Sequence, residues 1–347
     1  MSVERKELGE RKAAVLRAVV EEYVRTGEPV GSETVAENAQ LGVSPATIRN
    51  ELAALEDMGY LGHPHTSAGR VPTDLGYRLF VNALPNTGRL RDVQRRAITD
   101  FFAQTALDLE DVLLGATQLL SRLTQYAGLA VAPSAAEERV VHVEFVPIGG
   151  NVLALIVGQH GRVDKRVLDR PDTLDEGSLA LLSSTVGQLV GGLTVAQAKE
   201  RVGELKGKRA AAEQDLLAAL ADEFDEMLAG TTGDHMLVHG VANLAGEAAQ
   251  WHLETTQRLV EALERESEML TLLREAGTQD LSVMIGGEHP STEQWDASVI
   301  AAPYRAGETS LGAIGIVGPT RMDYLTAINA VKAVARRISA VATEQEG

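Results

Sequence analysis

Apolar residues Val15, Leu16, Val19, Val20, Tyr23 and Val24 recur at three- and four-residue intervals. That spacing stacks side chains on one face of an α-helix, so a first helix is expected over 8–25. Thr26-Gly27-Glu28-Pro29 stops it, and a short helix is expected over 32–40. Leu41-Gly42-Val43 makes a tight turn with glycine, as helix-turn-helix units often do. Ser44 can cap free amides at the start of the next helix, and Pro45 suits the first helical position because it has no N–H to leave unpaired. That helix runs to Met58 and stops at Gly59. At about 100° per residue, Ile48, Leu52 and Leu55 share its core face. Ala46, Arg49, Asn50 and Ala53 share the opposite one. The small residues permit close approach, while Arg and Asn supply donors for base edges or phosphate. Taken alone, this face reads equally well as a solvated surface with one arginine.

The next segment shifts that balance. Residues 60–65 and 70–72 flank Thr66-Ser67-Ala68-Gly69, a hairpin with a small polar tip. His63, His65, Thr66, Ser67 and Arg70 are potential donors to phosphate or the minor groove, beside Ser44, Ala46, Thr47, Arg49 and Asn50 on the helix. Residues 74–81 form a packing helix. Helix, helix, turn, helix, hairpin, helix within 1–85 is a winged helix-turn-helix.

Pro85-Asn86-Thr87-Gly88 marks a linker, set at 86–92. A long amphipathic stretch is expected over 92–125, as a connecting and packing helix. Val141, Val143 and Phe145 alternate with His142 and Glu144, the pattern of a half-buried strand. The apolar run 152–157 reads as a central strand, and 163–168 as its neighbour. Helical stripes follow: Leu216, Leu217, Leu220, Phe224, Met227 and Leu228, then Leu259, Val260, Leu263 and Leu270. Strands return at 281–285, 298–303 and 311–317. A last helix carries Tyr324, Ile328, Val331, Ala335 and Ile338 on one face. Strands interrupted by helices suggest an α+β domain, 93–170 with 276–347, holding a mostly helical insertion at 171–275.

Charge refines the picture. The chain has 347 residues and a net charge of −17, which looks wrong for a DNA binder. Its distribution matters more than its total. Residues 1–90 carry 10 Lys+Arg and 12 Asp+Glu, whereas residues 91–347 carry 22 and 37. The windows 38–50 and 58–73 hold no acid at all, and they contain the candidate DNA-contacting residues. So few cations imply modest non-specific affinity. There are no cysteines, no run of apolar residues long enough to span a bilayer and no apolar signal core at the start, so a cytoplasmic protein is expected.

Three motifs add a resemblance. The run His65-Thr66-Ser67-Ala68-Gly69-Arg70-Val71-Pro72-Thr73 with Gly76-Tyr77-Arg78 resembles the wing signature of the HrcA family of heat-shock repressors. Ser44-Pro45-Ala46-Thr47-Ile48-Arg49-Asn50-Glu51 is similar to that family's recognition helix, and residues 312–324 to its C-terminal signature. The resemblance implies a GAF-like α+β domain with an inserted dimerisation domain. It also implies a homodimer on double-stranded DNA with an inverted-repeat operator upstream of chaperone genes, and chaperonin that supports the active fold.

Catalytic chemistry is not in view. There is no P-loop, dinucleotide fingerprint, nucleophile elbow or His-Glu-x-x-His, so no catalytic residue, cofactor or metal is expected. His235 and His239 flank Met236-Leu237-Val238, which reads as a strand without a third ligand. Two other readings stay open: a metabolite-sensing regulator with a small ligand in the GAF-like domain, and an acidic adaptor whose winged helix binds protein.

Overall fold

The stripe at 15–24 lies on α1 (Glu10–Thr26), where Val15, Leu16, Val19 and Val20 are buried. In the computed structural model, residues 8–38, 42–64, 69–85, 90–103, 108–133, 139–159, 162–171, 173–230, 235–246 and 253–346 are described. After α1 come α2 (Ser32–Asn38), α3 (Pro45–Asp57), β1 (Leu61–Gly62), β2 (Val71–Pro72) and α4 (Asp74–Asn82). The two strands pair antiparallel with Leu61 opposite Pro72, and an isolated bridge from Val30 to Arg70 widens the ladder. Val35, Ile48, Leu52, Leu55, Leu61 and Tyr77 join the α1 stripe in one apolar core. This is the expected winged helix. The candidate linker residues 86–89 lie outside the described residues.

The stretch expected as one amphipathic segment over 92–125 is two helices, α5 (Asp92–Ala103) and α6 (Leu109–Thr124). β3 (Ala127–Ala132) follows, a strand that the sequence reading passed over. Next come β4 (Val140–Ile148), β5 (Asn151–Gly158), β6 (Val163–Asp169), α7 (Glu176–Val190), α8 (Val195–Lys206) and α9 (Ala211–Gly230). The chain continues through β7 (His235–His239), α10 (Val241–Gly246), α11 (Leu253–Glu264), α12 (Glu266–Ala276), β8 (Ser282–Ile285), a 3-10 turn at Gly286–Glu288, and α13 (Pro290–Trp295). It ends with β9 (Ala297–Ala306), β10 (Thr309–Pro319) and α14 (Tyr324–Glu346).

Five strands form one antiparallel sheet in the order β7-β3-β10-β9-β8. Both of its faces are covered. Ala130, Ala132, Ile300, Ile314 and Ile316 pack with α6 and α14 and join the winged-helix core. Leu129, Val131, Val299 and Val317 pack with Leu259, Met269, Leu273 and Trp295 on the other side.

Strands β4, β5 and β6 belong elsewhere. Among the described residues they pair only with one another, in a three-stranded antiparallel sheet of order β4-β5-β6. Val143, Phe145, Val152, Ala154 and Ile156 bury one face of that sheet against Leu179, Leu182, Val186, Leu216 and Phe224 of the helices. The separate unit therefore spans roughly 140–230, and the expected boundaries at 171 and 275 are corrected. The strands at 141–168 lie inside it, and the stripe at 259–270 packs on the five-stranded sheet. Val141, expected inward, is 56% exposed. A register shift between Val140 and His142 turns it outward.

Candidate nucleic-acid interface

Helix α3 begins as its sequence requires. Ser44 is extended, its Oγ accepts from Thr47 N–H at 3.2 Å, and Pro45 fills the first turn. The Ser44 and Thr47 hydroxyls also lie 3.0 Å apart. The helix ends on Gly59, whose φ of +79° is a left-handed conformation that glycine adopts without a Cβ clash. Gly59 N–H donates to Glu56 O and Tyr60 N–H to Leu55 O, which satisfies two carbonyls of the last turn.

Between these caps the helix has two faces. Ile48 and Leu55 are fully buried and Leu52 nearly so. Ala46, Arg49, Asn50 and Ala53 are exposed, and Thr47 is half-buried. Arg49 forms no ion pair among the described residues. Two of the helix carboxylates that would repel a phosphate backbone are neutralised. Glu51 faces Lys12 at 3.1 Å and Arg11 at 3.8 Å from α1. Glu56 accepts from Arg70 Nη2 and from His63 Nε2, both at 2.7 Å.

The expectation for His63 and Arg70 shifts accordingly. Arginine has only donors, so Arg70 Nη1, 2.9 Å from His63 Nδ1, must donate to it. That leaves the His63 proton on Nε2, aimed at Glu56. Arg70 is also fixed through its backbone, with Val30 N–H donating to Arg70 O at 2.8 Å and Arg70 N–H to Val30 O at 2.9 Å. Gly69 allows this approach, since a Cβ there would stand 2.6 Å from the Val30 carbonyl. His63 and Arg70 therefore brace the wing base against the end of α3 rather than project from it. Glu56 organises this brace, and the sequence reading did not single it out. The candidate wing-tip residues His65, Thr66 and Ser67 lie outside the described residues.

His235 and His239 sit on β7 as expected, and His235 Nε2 lies 3.2 Å from Glu110 Oε1 on α6. Among the described residues, no helix is long and apolar enough to cross a membrane.

Comparison with known proteins decides what this geometry belongs to. Residues 7–84 match the family described as winged helix-turn-helix transcription repressor, HrcA DNA-binding. Residues 110–328 match the HrcA protein C-terminal domain. The chain belongs to the HrcA family. The heat-inducible transcription repressor HrcA of Streptomyces avermitilis is 38% identical over 338 residues, covering 97% of this chain and 99% of that protein. The protein of the same name from Thermobifida fusca is 38% identical and covers 99% of both. The one from Nocardioides sp. is 40% identical, covering 96% of this chain and 99% of its own. A hypothetical protein solved at 2.2 Å is 25% identical with a TM-score of 0.75, covering 98% of this chain and 100% of that one. This HrcA-family chain is thus a transcription repressor by family, with a DNA-binding winged helix at its N-terminus.

Proposed function

We propose that this chain is a heat-inducible repressor that binds an inverted-repeat operator as a homodimer. One observation carries the reading: α3 buries Ile48, Leu52 and Leu55 and leaves Ala46, Arg49 and Asn50 exposed, with Arg49 unpaired among the described residues. The N-terminal half of α3 enters the major groove. Ser44 and Thr47 meet phosphate there, and Arg49 and Asn50 reach base edges beside Ala46. His65, Thr66 and Ser67 donate to phosphate or the minor groove, and His63 and Arg70 anchor the base of the wing to α3. Two modules in a two-fold dimer match two inverted half-sites.

The three-stranded sheet supports the dimer. Among the described residues, helices cover one of its faces only. The other carries Val146, Leu153 and Val167 in one cross-strand row and Glu144, Leu155 and Lys165 in the next. Val163 and Val167 are 55% and 62% exposed. A two-fold axis along the strands would lay β4 of one copy over β6 of the other, bringing Glu144 to Lys165 and Leu155 to Leu155. Chaperonin supports the active fold, so operator occupancy falls when unfolded protein competes for it on heating.

The test is a gel shift on a duplex selected from random sequence by the purified protein, with and without chaperonin. An inverted repeat bound by wild type, lost in a Leu155→Asp variant that light scattering finds monomeric, supports the reading. A selected duplex without two-fold symmetry, or an unchanged mass for Leu155→Asp, overturns it.

A further inference from the structure

The two signatures at opposite ends of the chain meet. Gly76-Tyr77-Arg78 follows the wing, and Thr320-Arg321-Met322-Asp323-Tyr324 opens the last helix, yet their side chains build one contact. Arg321 reaches across to α1, where its Nη2 and Nε donate to the Val24 carbonyl at 3.0 and 3.3 Å. Its guanidinium carbon lies 5.7 Å from the centre of the Tyr23 ring. That carbonyl belongs to the last turn of α1, where acceptors lack helical partners and the helix dipole favours a cation. Gly27 makes room: a Cβ there would stand 2.4 Å from Arg321 Nη1.

A second arm runs the other way. Arg78 of α4 grips Glu288 with two nitrogens, Nε to Oε1 at 2.6 Å and Nη2 to Oε2, and Nη2 also donates to the Val283 carbonyl at 2.5 Å. Glu288 is itself held, accepting from Ile285 N–H at 2.9 Å. Asp74, at the start of α4, accepts from Gly287 N–H at 2.7 Å. Between the arms the Tyr77 and Tyr324 rings lie 5.6 Å apart, both buried. Burial against the C-terminal domain holds the Asp74 carboxyl above its usual range, with the Gly287 N–H opposing.

The polar part of this contact is directional. Apolar packing alone would tolerate a slip, whereas a bidentate arginine–carboxylate pair and an arginine-capped helix end have one geometry. The contact engages α1 and α4 and leaves Arg49 and Asn50 on α3 exposed. It therefore sets where the recognition helix points without covering it.

We propose that Arg321 and Arg78 are positioning residues for operator binding: they lock each winged helix to its C-terminal domain and so fix the separation and orientation of the two recognition helices. The inference rests on the dimer reading given above. A single half-site requires no such lock. Two half-sites on one rigid duplex do, because the second module engages at high effective concentration only when its geometry already fits.

The experiment compares Arg321→Ala, Arg78→Glu and the charge swap Arg78→Glu with Glu288→Arg, in the full chain, after light scattering shows the wild-type mass. The probes are the selected inverted-repeat duplex, one half of it alone, and a version with the halves moved apart by about five base pairs, half a helical turn. Wild type should prefer the paired site and reject the respaced one. Arg321→Ala and Arg78→Glu should bind the single half-site as wild type does, yet lose on the order of tenfold or more on the paired site and tolerate the new spacing. The charge swap should restore spacing dependence. Wild-type spacing dependence in both single variants overturns the lock, as does parallel weakening on half-site and paired site, which would mark a purely structural role. Equal binding of half-site and paired site by wild type overturns the dimer reading and the lock with it.

Discussion

The recognition helix and the wing hold their arginines in opposite ways. Arg49 stands on the exposed face of α3 with no ion pair among the described residues. Arg70, in the second arm of the wing, is only 21% exposed and is held by Glu56, His63 and the Val30 backbone. Each lies in one of the two motifs that mark the DNA-binding module, and residue type does not separate them. Their surroundings do. A guanidinium that faces solvent can give its donors to a base or phosphate with little lost inside the protein. One clamped to a carboxylate must first break that clamp, so its contribution is to hold the wing still. Arg78 and Arg321 extend the contrast, since each anchors the winged helix to the C-terminal domain.

The largest effect should come from the face of α3 turned away from Arg49. Leu55 is fully buried, and Leu55→Ala should cost about 2–5 kcal/mol through lost transfer energy and the cavity left behind. Chemical denaturation should show it as earlier melting of the winged helix, with operator binding lost in step. Melting like wild type would break the two-faced account of this helix. Next in size is Arg49→Ala. It should leave the melting transition in place while removing about 1–3 kcal/mol of discrimination between operator variants, if Arg49 reads a base edge. Competition gel shifts with single base changes separate the cases. Loss spread evenly over all sequences would move Arg49 to the phosphate class.

Much of this contrast was legible before the fold was known, and the part that was not has a common cause. The Ser44-Pro45 start, the Gly59 stop and the 100° spacing of Ile48, Leu52 and Leu55 are local, so both faces of α3 could be drawn from the chain alone. The role of Glu56 could not. It depends on the chain returning His63 and Arg70 to the same spot, seven and fourteen residues later. The same non-locality misplaced the insertion. Strands β4, β5 and β6 alternate as any half-buried strands do, and nothing within them says which sheet they join. β3 was missed for another reason. Ala127–Ala132 is apolar throughout and buried on both faces, so it shows no apolar–polar alternation. The signatures at residues 76–78 and 320–324 were visible as motifs, but the contact between them, the Tyr77–Tyr324 ring pair, joins positions more than two hundred residues apart.

The smallest effect tests the brace itself. In Glu56→Gln the single amide oxygen can accept from Arg70 or from His63, but the amide nitrogen then faces a donor and one contact is lost. The three side chains are 21–31% exposed, and partly solvated ion pairs of this kind contribute about 0.2–1 kcal/mol, so the melting temperature should barely move. Hydrogen exchange should show the change more clearly. The amides of Gly62 and Val71, paired across the β1–β2 ladder, should exchange faster, because the wing base has lost its anchor on α3. Operator affinity should fall by a similar small factor for every sequence, since a looser wing weakens contacts to phosphate and none to a base. A Glu56→Gln protein that instead changed which base pairs it prefers would mean that the brace also sets the angle of Arg49, and the separation between the two arginines drawn here would no longer hold.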